Sequence, residues 1–136
     1  MSLRSIPLIA IALILYSVVT LLGGDGVLSK SVLPAIPMPS GKSWTMTWSD
    51  LLILVTLVLL FIEIVKATFT SSASLIDHGL SMLVFVACLL AFLLVPQMAT
   101  STFFIITAAT LIDVIAGYTI GIRVAKRDIG FGSNDH

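Results

Sequence analysis

Asp113 is the carboxylate that the sequence sets deepest in an apolar run, near the middle of residues 102–122. An ionisable group inside a membrane-spanning helix is costly, and it commonly marks a proton or cation site. Arg123 lies about 15 Å further along a helix of 1.5 Å rise per residue, too far for a direct pair. A partner must therefore come from another helix or another copy of the chain, and the candidates are Ser81, Thr56, Tyr16, Ser17 and Lys66. In the alternative interpretation, the carboxyl is protonated or hydrogen-bonded and holds helices together.

A second set of titratable residues lies near the ends of two neighbouring apolar runs and comprises Glu63, Lys66, Asp77 and His78. Glu63 and Lys66 are three residues apart, so they can pair on one helix face. Because histidine titrates near neutral pH, the set could form an acid–base cluster at the mouth of a pathway. The plainer interpretation is a partly solvated salt bridge and a helix cap. A metal site needs three or four ligands, and three at best are available here without a recognised spacing, so we expect neither a metal nor a cofactor.

Small residues form a stripe on the same run as Asp113. Ala109, Asp113, Gly117, Gly121 and Ala125 recur every four residues, which places them on one helix face. Small side chains let two helix backbones approach closely within a membrane. We expect this face to pack either against a helix of the same chain or against a partner subunit, and the sequence leaves both open.

The sequence has no recognisable enzyme motif. It lacks H-E-x-x-H, G-x-S-x-G, a Walker loop and a glycine-rich dinucleotide fingerprint. Its single cysteine, Cys88, excludes an internal disulfide. The formal net charge is zero, and no basic face suggests nucleic acid. We therefore expect a non-enzymatic protein that does not bind nucleic acid.

Composition identifies the elements that must hold these residues. Of the 136 residues, 58% are hydrophobic and 10% charged, whereas a soluble domain carries about 25% charged residues. Four apolar runs, at 6–22, 50–66, 75–95 and 102–122, approach the roughly 20 residues that a helix needs to cross a bilayer. They lack the alternation of a barrel strand, so helices are the expected form. The sequence predicts a single-domain, all-α membrane protein with four transmembrane helices.

We expect the first run to be a retained helix rather than a cleaved signal peptide, because the glycines after it make a poor cleavage site.

The loop at 23–49 carries strand and turn signals. Its three prolines exclude a helix, and Trp44, Met46 and Trp48 alternate with polar residues as in a strand. Residues 39–42 suit a turn, so we predict a short β-hairpin of 33–38 paired with 43–48. Trp44 and Trp48 would anchor it at the membrane interface; an irregular anchored loop is the alternative. Ser49 is the expected N-cap of the next helix.

Basic residues predict the orientation in the membrane. With four crossings, one side holds Arg4, Lys66, Arg123, Lys126 and Arg127. The opposite side holds Lys30 and Lys42. The positive-inside rule then places both termini and the tail at 123–136 in the cytoplasm, and the hairpin loop outside. Arg123, Lys126 and Arg127 would anchor the inner end among lipid headgroups.

Three stretches carry a family resemblance. They are 113–118 (DVIAGY) with the basic residues that follow, 76–82 (IDHGLSM), and the 39–41 (PSG) turn before Trp44. In these the chain resembles a group of small bacterial membrane proteins that carry no assigned activity, and the resemblance covers most of its length. It implies a bacterial inner membrane. Small multidrug transporters also have four helices, but they place a glutamate in the first helix, where this chain has no charge.

Two functions follow as hypotheses. The first is a non-enzymatic membrane protein that acts by assembly, as a homo-oligomer or as an accessory or scaffold subunit of a larger complex. The second is a small oligomeric ion, proton or solute transporter that uses Asp113. Transport predicts a water-filled cavity reaching Asp113, whereas a scaffold predicts a dry, hydrogen-bonded carboxyl.

Overall fold

The computed structural model describes the backbone of residues 7–69 and 74–133, and the side chains of residues 7–68 and 79–123. Within these residues the chain is mainly helical, as the sequence predicts. The four helices are α1 (Ile9–Gly23), α2 (Trp48–Phe69), α3 (Ser74–Leu94) and α4 (Ser101–Ser133). Short 3-10 turns at Val27–Ser29 and Pro96–Met98 precede the hairpin and α4. The last helix continues past the predicted span and includes residues that the sequence had assigned to a tail.

Judged by length and composition, two helices could cross a membrane. They are α2 over Trp48–Thr68 and α4 over Ser101–Arg123. The apolar parts of α1 and α3, Ile9–Gly23 and Gly79–Leu94, are shorter. The 15 residues of α1 extend for about 22 Å at 1.5 Å per residue, against a hydrocarbon core of about 30 Å. The structure thus supports two candidate spans among the described residues, and four crossings stay a prediction.

The predicted β-hairpin is present. Strand β1 (Ile36–Pro37) pairs antiparallel with β2 (Ser43–Trp44). The turn between them is closed by a hydrogen bond from the Met38 N–H to the Lys42 carbonyl, at 2.7 Å. Gly41 has a φ of 89° in this turn, a backbone conformation that glycine adopts without the steric cost of a side chain. Backbone hydrogen bonds from Val32 to Met46 and from Trp48 to Lys30 carry the pairing on to the start of α2.

The start of α2 differs from the prediction. The helix begins at Trp48, so the N-cap is Thr47, and the prediction of Ser49 is wrong. The Thr47 hydroxyl accepts the Asp50 N–H at 3.2 Å, and the Asp50 carboxylate accepts the Thr47 N–H at 3.1 Å. This reciprocal pair is a capping box. Ser49 instead lies inside the first turn, and its hydroxyl oxygen is 2.6 Å from that of Thr102.

The helices pack around α4, which makes its most extensive contacts with α2 and α3. The short turn at Pro96–Met98 makes α3 and α4 antiparallel neighbours. By contrast, α2 and α4 run in the same direction: Ser49 meets Thr102 where both helices begin, and Leu60 and Ala109 share one buried cluster further along. We call the end with the hairpin and the α3–α4 turn the hairpin end.

Large side chains fill the core near the hairpin end. Tyr16 and Phe103 are fully buried, and their ring centroids lie 4.8 Å apart. The Tyr16 hydroxyl lies 2.6 Å from the Thr100 hydroxyl and 3.2 Å from the Gln97 carbonyl oxygen. Asp113 is about 15 Å further along α4 than Phe103. The expectation that Tyr16 pairs with Asp113 is therefore wrong.

Candidate functional site

The strongest candidate site is a group of buried and half-buried polar groups that we call the inner polar layer. It comprises Glu63, Lys66, Asp113 and the backbone N–H of Leu8. Glu63 is only 5% exposed, and its Oε1 accepts a hydrogen bond from the Leu8 N–H at 2.6 Å. The same oxygen lies 3.7 Å from the Lys66 ammonium. The predicted Glu63–Lys66 pair is therefore present, but Glu63 is far less solvated than expected.

Glu63 also solves a structural problem at the start of α1. The first N–H groups of a helix have no partner within the helix, and the Leu8 side chain at the N-cap position cannot accept a hydrogen bond. Pro7 has no N–H, and the N–H groups of Ala10 and Ile11 bond to the carbonyls of Pro7 and Leu8. The Glu63 carboxylate accepts the Leu8 N–H and places a negative charge at the positive end of the helix dipole, where it is stabilising.

A shared cluster fixes the relative depth of the two buried carboxylates. Ile9, Leu60 and Ala109 form this cluster, so they lie at one level of the bundle. Glu63 follows Leu60 by three residues and Asp113 follows Ala109 by four, which is about one helical turn in each case. Both carboxylates thus lie about one turn from the cluster, on the side away from the hairpin end. The sequence predicts that Asp113 lies deep in the bundle and Glu63 near the surface. In the fold the two residues lie at similar depth.

Asp113 itself is 4% exposed. Two of its predicted partners donate their hydroxyl protons within their own helices. Thr56 donates to the Leu52 carbonyl at 2.7 Å, and Ser17 donates to the Leu13 carbonyl at 2.9 Å. These protons are therefore committed to backbone carbonyls, and the structure does not bear out either residue as a donor to Asp113. Ser81, which is 2% exposed on α3, stays a candidate, as does Lys66.

The small-residue stripe on α4 faces the interior of the chain. Ala109 is 4% exposed, Gly117 is buried and Gly121 is half-buried. The sequence left open whether this face meets the same chain or a partner subunit. Burial within one chain means that the section from Ala109 to Gly117 is used for packing inside the bundle.

The remaining predicted residues divide by location. Trp44 is exposed on the hairpin and Trp48 is half-buried at the start of α2, while Arg123 is exposed on α4. Asp77 and His78 lie in α3, and Lys126 and Arg127 in α4, but their side chains are outside the described residues. Among the side chains described, no three His, Cys, Asp or Glu residues gather as a metal site.

Sequence reasoning missed the role of Glu63 at α1. A signal for it was available, since residues 7–9 read Pro-Leu-Ile and offer no side-chain cap at the start of a helix. A helix that begins without Ser, Thr, Asp or Asn needs an acceptor from elsewhere when its start is buried. The sequence could indicate that an acceptor was needed, but not that α2 would supply it.

The chain was also compared with known proteins. No family model, no curated protein and no solved structure matches it. The function is therefore argued from the geometry of the fold and of the inner polar layer.

Proposed function

We propose that this chain is a non-enzymatic membrane protein with four crossings, which acts by assembly as a homo-oligomer or as an accessory subunit of a larger complex. The observation that carries the proposal is the packed core near the hairpin end. Tyr16, Cys88, Phe103 and Ile106 are all fully buried there. Because large side chains occupy the interior at this end, we place the function on the outer surfaces of the helices.

Exposed apolar side chains support placement in lipid. Phe61 on α2 is 67% exposed, Leu83 on α3 is 64% exposed and Phe104 on α4 is 57% exposed. Soluble monomers rarely expose large contiguous apolar patches, and such surfaces mark contact with membranes or partner proteins. Because α1 and α3 pack beside the two longer helices, immersing α2 and α4 would immerse all four helices.

The basic residues support the direction of insertion. Lys66 lies toward the end of α2 away from the hairpin end, and Arg123, Lys126 and Arg127 lie on α4 toward the same end. Lys30 and Lys42 lie in the hairpin loop. The positive-inside rule favours the end with more basic residues as the cytoplasmic one. The proposed location is a bacterial inner membrane, with both termini in the cytoplasm and the hairpin outside.

A second candidate function rests on a different observation. Glu63 and Asp113 lie within about one helical turn of each other in depth, and Lys66 joins Glu63 in the same layer. Buried carboxylates and a lysine at one depth are the kind of group that proton and ion pathways use. An oligomeric transporter, with its pathway between chains and Asp113 as its working carboxyl, is the alternative.

Native mass spectrometry of the protein, gently extracted from its own membrane, tests the leading proposal. A defined homo-oligomer or a stoichiometric complex with a second protein supports assembly, whereas a lone monomer contradicts it. For a homo-oligomer, ion and proton flux would then be measured in proteoliposomes with Asp113→Asn and, as a matched control, Asp25→Asn in the loop. Flux that only Asp113→Asn abolishes would favour the transporter over the scaffold.

A further inference from the structure

An open groove of about 340 Å³ lies between the hairpin and the beginning of α2. One wall is formed by Trp44 and Met46 and the other by the α2 residues Asp50, Ile53, Leu54 and Leu57. Trp44 ends strand β2 and Met46 follows it by two residues, and both line the groove. The four α2 residues follow i, i+3, i+4 and i+7 spacing, which places them along a single helix face.

The groove changes from polar to apolar along its length. Its polar end has the exposed carboxylate of Asp50 and the indole of Trp44, which is 40% exposed. Its apolar wall continues to Leu57, about 10 Å further along α2. Leu54 and Leu57 are both about half exposed, at 48% and 51%. A ligand that fits this gradient has a charged head and a hydrocarbon tail.

Charge complementarity selects the head. Asp50 accepts one hydrogen bond, from the Thr47 N–H at 3.1 Å, and a carboxylate has about four acceptor positions. It can therefore also accept from an ammonium group. Lys42 is exposed and lies in the hairpin turn, two residues before Trp44. The groove thus has a negative group for an amine, and the hairpin turn that leads to Trp44 carries a cation of the kind that favours a phosphate.

We propose that this groove binds one phospholipid whose headgroup carries both a primary amine and a phosphate, as in phosphatidylethanolamine. The ammonium donates to Asp50, the phosphate lies toward Lys42, and one acyl chain lies along Ile53, Leu54 and Leu57. This inference rests on the proposed membrane insertion. A primary ammonium can donate hydrogen bonds to a carboxylate, which separates this lipid from an anionic phosphatidylglycerol.

Quenching of Trp44 fluorescence by brominated lipids tests the site. The chain has two tryptophans, so Trp48→Phe leaves Trp44 as the sole reporter. The protein is placed in phosphatidylcholine bilayers that contain increasing fractions of either chain-brominated phosphatidylethanolamine or chain-brominated phosphatidylglycerol. Half-maximal quenching is expected at a several-fold lower fraction of the phosphatidylethanolamine.

Two pairs of variants separate the lipid site from general lipid contact. Asp50→Asn keeps an acceptor for the Thr47 N–H but removes the charge, and it should equalise the two lipids. Asp25→Asn, in the loop after α1, should keep the preference. Leu54→Phe, which fills the groove, should weaken quenching by both lipids. Ile62→Phe adds the same bulk on exposed α2 surface outside the groove and should not. Helix content by circular dichroism confirms that each variant is folded.

Two results would overturn the lipid site. Equal quenching by both lipids, unchanged by Asp50→Asn, would mean ordinary boundary lipid. Quenching by neither lipid would mean that protein covers Trp44 or that the hairpin lies away from the bilayer. The assembly proposal is judged separately by the mass of the extracted complex, so its failure is distinguishable from failure of the lipid site.

Discussion

The Glu63 carboxylate of α2 accepts the backbone N–H of Leu8, 55 residues earlier in the chain, at 2.6 Å. This bond joins the beginning of α1 to the interior of the bundle. A buried N–H without an acceptor costs about 1–3 kcal/mol. Glu63 therefore has a structural role whether or not the inner polar layer also moves ions.

Replacing Glu63 should destabilise the protein according to what the new side chain can accept. Glu63→Ala is expected to lower the free energy of unfolding by about 1–3 kcal/mol, because the Leu8 N–H loses its acceptor. Glu63→Gln keeps an oxygen acceptor and should lose less. Thermal unfolding in a mild detergent, followed by circular dichroism, measures both variants. If Glu63→Ala unfolds at the wild-type temperature, the helix-cap role is wrong.

The capping box at the start of α2 makes a second prediction. Thr47→Ala removes the hydroxyl that accepts the Asp50 N–H, and loss of an N-cap of this kind costs about 1 kcal/mol. Thr47→Ser keeps the hydroxyl and serves as the matched control. Hydrogen exchange should show faster exchange of the first-turn amides of α2 in the alanine variant alone. Equal protection in the two variants would show that another group caps the helix.

Tyr16 should stabilise the hairpin end in two separable ways. Tyr16→Phe removes the hydroxyl beside Thr100 and Gln97 and should cost about 1 kcal/mol. Tyr16→Ala also removes the ring packed on Phe103, and large-to-small changes of this kind cost about 3–5 kcal/mol. Phe61→Ala, at a position of α2 that is 67% exposed, is the control. Denaturant unfolding measures all three, and similar losses for Tyr16→Ala and Phe61→Ala would contradict the packed core.

The α4 stripe allows a test of whether its packing lies within the chain. Gly117 is buried in a single chain, so Gly117→Leu should overpack the bundle and cost about 1–3 kcal/mol of stability. The oligomeric state of the Gly117→Leu protein should change only if the fold is lost. Ile115→Leu, at an exposed position two residues away, should leave stability unchanged. A folded Gly117→Leu protein with normal stability but fewer subunits would place this face at an interface between chains.

Local patterns predict local structure in this chain. The helices follow from apolar runs, and the hairpin follows from the alternation ending at Trp48 and from the turn at Gly41. The Glu63–Lys66 pair follows from i, i+3 spacing. Each depends on residues close in sequence, so no knowledge of the tertiary arrangement is needed. Even here the predicted N-cap of α2 is Ser49 and the observed one is Thr47. Several residues in a row can cap a helix, and the hydrogen-bond geometry selects one of them.

Contacts between distant elements were not predictable. The sequence offers Tyr16 and Thr56 as partners of Asp113, but helix register places Tyr16 beside Thr100 and Thr56 donates to its own helix. Glu63 and Asp113 reach similar depth because α2 and α4 run in the same direction from one end. Register and direction arise from the packing of whole helix faces, which an individual motif does not encode.

The placement of the chain in the membrane is the claim on which the rest of the account depends, and cysteine labelling in intact cells tests it most directly. In a Cys88→Ala background, single cysteines would replace Ser40 in the hairpin, Ala99 in the α3–α4 turn, Ser71 between α2 and α3, and Ser133. A membrane-impermeant maleimide should label the first two in intact cells and the last two only after the inner membrane is opened. Labelling of Ser40→Cys and Ala99→Cys from opposite sides, or of all four from one side, would contradict a four-crossing protein.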